Sequence, residues 1–141
     1  MKDFCIIGSG ISGATIANSL SKKYSLDVYD KARGVGGRSS NKKLNKNESF
    51  DHGVQYISPK SIQFKKFIKS LILKKIVKKW PGKHLFLNTD KQEDKKHTKI
   101  IGKKGNNAIS KYLLKDINCN FNSEVIKIFN KNKVWEIYFS D

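Results

Sequence analysis

The sequence predicts an α/β fold built around a parallel sheet. Three observations carry this expectation. The apolar run DFCII, residues 3–7, ends directly in a glycine-rich turn, GSGISG, at residues 8–13. Ile11, Ala14, Ile16, Ala17 and Leu20 then recur at helical spacing. SLDVYD, residues 25–30, alternates apolar and polar and closes on an acid. Strand, helix and strand within about thirty residues form a βαβ unit, whose crossover is right-handed. The whole chain has 141 residues, enough for one hydrophobic core and too few for two full domains.

Each element follows from local pattern. DFCII reads as a strand buried on both faces, with Cys5 a small core residue. A helix is expected from about Ile11 and a second strand ending at Asp30. NKKLNKNES, residues 41–49, is polar and reads as a loop. Pro59 opens the longest helical pattern, with Ile62, Phe64, Phe67, Ile68, Leu71 and Ile72 on one side and lysines on the other. KKIVKKW, before Pro81, reads as a strand or a frayed continuation of that helix, and HLFLN as a short strand. After the polar TDKQEDKKHTK, a second helix is expected from about Asn106, through Ala108, Ile109, Tyr112, Leu113 and Leu114. CNF, EVIKIF and VWEIYF are strand-like, with NKNK a hairpin turn between the last two.

Composition excludes several function classes. The formal net charge is +17, yet the lysines are scattered along the whole chain together with many Asn and Ile. That distribution is a solvated surface and not a specific nucleic-acid face, although it attracts anions in general. Cys5 and Cys119 match no metal or CxxC spacing, so no metal site and no disulfide framework is expected. The N-terminal apolar run is too short for a signal peptide, and no stretch approaches the ~20 apolar residues of a membrane span. A soluble, cytoplasmic protein is the expectation.

Gly8, Gly10 and Gly13 satisfy G-x-G-x-x-G after a strand and at the mouth of a helix, the context in which this spacing binds a dinucleotide. The helix N-terminus offers N–H groups and partial positive charge to a pyrophosphate, with hydroxyls on Ser9 and Ser12 beside it. Asp30, about twenty residues on, suits both hydroxyls of an adenosine ribose. A second cluster follows at once: Arg33, Gly34, Gly36, Gly37 and Arg38. Guanidinium groups among flexible glycines make a further anion-binding surface, more than a nicotinamide dinucleotide requires.

These stretches resemble a known family. CIIGSGISGATIANSL, DVYDKARGVGGRSS and FDHGVQYIS are similar to the opening of the renalase-like FAD-dependent oxidoreductases, a branch of the amine-oxidase flavoprotein superfamily. GKKGNNAISKYLL and VWEIYF resemble that family's return helix and following hairpin. The resemblance implies FAD as cofactor, with Gly8, Ser9, Gly10, Ile11, Ser12 and Gly13 at the pyrophosphate turn and Asp30 at the ribose. Lys31 would lie beside the adenine end, Gly37 and Arg38 at the pyrophosphate and ribityl region with Arg33 and Gly36 in the same cofactor-binding cluster, and Gln55 and Tyr56 on the flavin side. Asp51 and His52, just before them, are expected to hold their loop by hydrogen bonds, with proton transfer as the alternative role.

The implied fold is an FAD-binding Rossmann-like α/β domain, a parallel sheet with a β-hairpin or meander, over 1–58 and 100–141. Residues 59–99 would begin an inserted α+β substrate domain. The implied chemistry is hydride transfer from a reduced small molecule, a dihydronicotinamide isomer, to flavin and then dioxygen, with no side-chain nucleophile. An amine oxidase or desaturase-like relative and a catalytically inactive dinucleotide-binding remnant or subunit stay open as alternatives. Family members run about twice as long, so the chain is expected to be truncated, to expose apolar faces such as that of the helix after Pro59, and to take a complementing C-terminal chain as partner.

Overall fold

The computed structural model describes residues 1–82 and 98–140. β1 (Phe4–Ile7) runs parallel to β2 (Leu26–Tyr29), with α1 (Ile11–Leu20) as the crossover. β7 (Cys119–Asn120) adds in parallel to the far side of β2, so the sheet order is β1-β2-β7. Cys5 lies opposite Asp27 and Ile7 opposite Tyr29, which sends these four side chains to one face and Leu26 and Val28 to the other.

The second face is the core. Leu26 and Val28 are buried with Ala14 and Ala17 of α1 and with Ile109 and Leu113 of α3 (Ala108–Leu113). The two alanines explain how α1 packs closely against both the sheet and α3: neither has a side chain that would hold them apart. The Asn18 amide seals the contact by donating to the Leu113 carbonyl at 2.8 Å. α3 starts two residues later than the pattern suggests, with Asn107 as its N-cap.

β1 is not buried on both faces. Phe4 and Ile7 are 40% and 55% exposed. Among the described residues β1 has one strand neighbour, and the face that carries Ile7 looks towards the hairpin of β8 (Val125–Lys131) and β9 (Val134–Phe139). Tyr29 and Phe139 touch there, with ring centroids 4.7 Å apart. The remaining space is an open groove of about 850 Å³ lined by Cys5, Ile7, Tyr29, Trp135 and Phe139 among others. The hairpin turn forms as expected: Asn132 and Lys133 both adopt positive φ, 52° and 66°, the type I′ geometry that matches strand twist.

The polar 41–49 stretch is not simply a loop. β3 (Asn41–Lys43) and β4 (Ser49–Asp51) pair antiparallel at its ends. Asn45 closes the turn by accepting from the Asn47 and Glu48 N–H groups at 2.9 and 2.8 Å. A side chain that mimics a backbone turn lets an exposed polar sequence pair without an apolar pattern.

α2 (Ile62–Leu73) begins three residues after Pro59, because the Ser61 hydroxyl accepts from the Phe64 N–H at 3.2 Å and caps the helix there. It ends in a Schellman motif: Lys75 takes φ 59°, while its N–H and that of Ile76 donate to Ile72 and Leu71. The expectation that its Ile/Phe face would be exposed holds at Ile62 but not along the rest of the helix. Ile68 and Leu71 are buried, and Phe64, Phe67 and Ile72 pack against them. That face is covered by β5 (Val77–Lys79) and β6 (Ile100–Gly102), an antiparallel pair that brings Val77 and Ile100 into the same core. Exposed apolar side chains lie at the two ends of α2, at Ile62 and Leu73, and on the hairpin, at Ile126, Ile128, Phe129 and Trp135.

HLFLN, residues 84–88, lies outside the described residues, as does most of the polar segment after it. Among the described residues no helix is long and apolar enough to cross a membrane.

Candidate cofactor site

The first glycine turn is closed by backbone contacts. The Gly8 N–H donates to the Tyr29 carbonyl at 2.7 Å, binding the end of β1 to the end of β2. Gly10 is the N-cap of α1, which has no side-chain cap and no acidic residue in its first turn. The first N–H groups of α1, around Ile11, Ser12 and Gly13, therefore present the helix's positive end with no carboxylate of their own to neutralise it. Ile11 and Ser12 are exposed at that end.

Asp30 is drawn into the same turn. Its Oδ2 accepts from the Ser9 N–H at 2.6 Å and from the Ser9 hydroxyl at 2.5 Å, and its Oδ1 accepts from the Ala32 N–H at 2.8 Å. Ser9 is fully buried, so its hydroxyl serves the carboxylate and clasps the glycine turn to the acid. Oδ1, with a single N–H partner, keeps accepting capacity for a ligand hydroxyl. Burial pushes the Asp30 carboxyl up, but the Ser9 hydroxyl, the Ala32 and Ser9 N–H groups and Lys31 together outweigh it, and the group titrates below its ordinary 3.8.

A pH dependence follows. The folded protein binds this proton less readily than the unfolded chain, so the stabilisation is complete above the ordinary carboxylate value and is lost as pH falls through the lower folded one. Urea denaturation of the wild type and Asp30→Asn should show a stability gap that is constant above about pH 5 and narrows below about pH 4. A gap that widens in acid would contradict the clasp.

The second glycine cluster lies against the first. Gly10 and Gly36 form a parallel bridge, and the Gly36 N–H donates to the Ser9 carbonyl at 3.2 Å. Gly37 approaches Gly10 so closely that a Cβ on Gly37 would lie 3.2 Å from the Gly10 Cα. Arg38 sits in a short 3₁₀ turn, Gly37–Ser39, with its side chain exposed, as is that of Arg33. Lys31 is exposed and forms an ion pair with Glu124 at 3.6 Å, which ties it towards the start of β8.

The FDHGVQY stretch is the third layer of this strip. The Val54 N–H donates to the Arg38 carbonyl at 2.8 Å, and Gly53 passes so close that a Cβ there would overlap that same oxygen. The His52 imidazole and the Ser40 hydroxyl are 3.1 Å apart. Gln55 and Tyr56 follow, both exposed. The Tyr56 ring lies 5.6 Å from Trp80 and 4.8 Å from the Lys99 ammonium. Asp51 accepts from the Asn41 amide at 3.1 Å and from the Asn106 N–H at 2.8 Å, a structural role within the loop.

The sequence reading missed two contributors. Asn106, 1% exposed, bonds the 51–55 segment to β6, and Asn107 donates from its amide to the Val35 carbonyl at 3.3 Å, bracing the second cluster. The signal available for both was the polar pair in GNNAIS immediately before an apolar helix. The cysteine thiols are held in the protonated form by contrast. Burial first, and then Asp27 beside Cys5 and Asp30 beside Cys119, raises both above their ordinary value.

A strand–glycine turn–helix–strand unit with an acid clasped to the turn is now in place. The fold is Rossmann-like. Residues 6–71, just under half of the chain, match the family model of the NAD(P)-binding Rossmann-like domain. The Rossmann-like chain is also similar in structure to tetracycline destructase Tet(51), with a TM-score of 0.58 and 19% sequence identity over 96% of this chain and 34% of that one. A weaker similarity, TM-score 0.45 at 27% identity, covers 59% of this chain and 18% of a putrescine oxidase variant. The chain thus spans about a third of the length of the first of these structures.

Proposed function

We propose that this chain is the FAD-binding module of a renalase-like oxidoreductase, which takes hydride from a reduced small molecule of the dihydronicotinamide kind. The observation that carries the reading is the direct seating of the second glycine–arginine cluster on the first, through the Gly10–Gly36 bridge and the Gly36 N–H bond to Ser9. A mononucleotide or simple dinucleotide turn needs only the first cluster. A strip that continues from Gly8 through Arg38 to Gln55 suits a longer ligand with a second phosphate-proximal surface.

The residues present fit that group. A Cβ on Gly8 would meet nothing within 4 Å, so the turn opens onto space beside the α1 N-terminus. In this reading the N–H groups of Ile11, Ser12 and Gly13 receive the pyrophosphate, which the helix end favours electrostatically. Asp30 accepts from the ribose hydroxyls with its remaining lone pairs, already ionised and oriented by Ser9. Arg38, exposed on the 3₁₀ turn, supplies a guanidinium fork to phosphate oxygens. Gln55 and Tyr56 orient the flavin end. When bound, FAD supplies the two-electron acceptor that takes the substrate hydride and passes the electrons to dioxygen.

The test is optical and quantitative. Purified protein should carry a flavin absorption band near about 450 nm. Arg38→Ala should weaken FAD and ADP alike, about tenfold, the loss of one charge-assisted contact to the pyrophosphate that both carry. Were Arg38→Ala to leave FAD affinity unchanged while Asp30→Ala abolished NAD binding, the protein would be a plain NAD-binding domain.

A further inference from the structure

We infer that Asn106 is a positioning residue for the flavin-side segment, acting through the backbone of Val54 and Gln55; this rests on the reading above that Gln55 and Tyr56 meet the flavin. Its side-chain amide is buried and makes three hydrogen bonds to main-chain groups, two on the distant 54–55 segment and one on nearby β6. The amide nitrogen donates to the Val54 carbonyl at 2.7 Å and to the Gln55 carbonyl at 3.1 Å, while the amide oxygen accepts from the Gly102 N–H at 2.9 Å. The Asn106 backbone N–H adds a bond to Asp51 Oδ1 at 2.8 Å.

Only a primary amide meets this set. The oxygen must face an N–H and the nitrogen two carbonyls, so the orientation of the amide is determined by its partners. Aspartate has no donor to give and would set an anion against two carbonyl oxygens. Alanine would leave four backbone-level bonds reduced to one. Residues 51–55 have no regular secondary structure beyond Asp51; the segment is also tied at its start by Asn41–Asp51 and Ser40–His52, in its middle by the Val54 bond to Arg38, and beyond Tyr56 by the Ile57–Ile100 bridge. Between the Arg38 bond and the Ile57–Ile100 bridge, Asn106 is the side chain that holds the Val54 and Gln55 carbonyls, and so sets the course of the backbone that presents Gln55. The ADP half of the ligand meets Gly8–Gly13 and Asp30, which do not touch Asn106 through any hydrogen bond described above.

That separation provides the experiment. FAD and ADP affinities are measured by calorimetric titration for the wild-type chain, Asn106→Ala and Asn106→Asp. The expected result is wild-type FAD binding tighter than ADP, and a loss of about tenfold or more in FAD affinity in both variants with ADP affinity unchanged. Equal losses for both ligands, or none for either, would reduce Asn106 to a structural residue and overturn the inference while leaving the FAD reading intact. Failure of the wild type to prefer FAD over ADP would instead overturn the FAD reading and, with it, the inference. Hydrogen exchange on the wild type provides a second readout independent of variant folding. FAD, and not ADP, should slow exchange of the Gly102 and Asn106 amides, and equal protection by the two ligands would count against the positioning role.

Discussion

Gly13→Ala should abolish dinucleotide binding and lower stability by about 1–3 kcal/mol or more, the range for overpacking against atoms that cannot move aside. A Cβ at this position would overlap the Gly8 carbonyl oxygen and lie 3.1 Å from the Gly8 carbonyl carbon. Both are backbone atoms, and Gly8 is itself held by its N–H bond to Tyr29. The methyl group can be accommodated only if the turn opens or α1 withdraws from the strand, and either change moves the helix N-terminus away from the ligand. Chemical denaturation gives the stability loss and ligand titration the affinity loss. A variant that kept wild-type values for both would mean that the turn does not close as described. Ser12→Ala, on the exposed surface of the same turn, is the control that should leave stability nearly unaltered.

Asp30→Ala should be the most damaging single change to ligand affinity that does not alter backbone packing, at about a hundredfold or more. Two contributions add. The ligand loses a charged acceptor for its ribose hydroxyls, and hydrogen bonds to charged groups are worth about 1.5–3 kcal/mol. The turn also loses its clasp, because the Ser9 hydroxyl, fully buried, and the Ser9 and Ala32 N–H groups lose their partner together. Ser9→Ala separates the two. It removes the hydroxyl bond alone, so it should cost affinity through the clasp and leave the ribose acceptor in place, giving a smaller loss. If Ser9→Ala and Asp30→Ala weakened binding equally, the direct contact between Asp30 and the ribose would be excluded.

The parts of the site that were legible in sequence are those where local chemistry admits few alternatives. Gly8, Gly10 and Gly13 followed by a small-residue helix and an acid after the second strand specify a turn, a helix start and an ionised partner, and the fold contains all three. A hairpin turn within NKNK was legible for the same reason, since a short polar link between two strand-like runs has few closed geometries; its I′ form at Asn132–Lys133 was seen only in the structure. The β3–β4 pairing was not legible. It depends on one Asn side chain, Asn45, acting as a turn, and not on periodicity. The burial of β1 was misread because an apolar run reports what a strand could bury, whereas its exposure depends on which neighbours are present on each side.

Asn106 and Ser9 show the same division within the site. In sequence both are small polar residues in glycine-rich surroundings, equally suited to a surface loop. Their roles depend on partners 51–55 residues and 21 residues away, which no local pattern encodes. The sequence by itself determined the βαβ core, the glycine turn and its acid, because these rest on backbone conformation and charge within one contiguous stretch. Only the tertiary structure decided that the Gly36–Arg38 cluster lies on the first turn, that Gly53 and Val54 lie on Arg38, and that Asn106 holds the far end of the strip. Those contacts form when burying the faces of α1, α2 and α3 brings the intervening loops together, and a packed core can place residues distant in sequence within hydrogen-bonding distance without leaving a local trace.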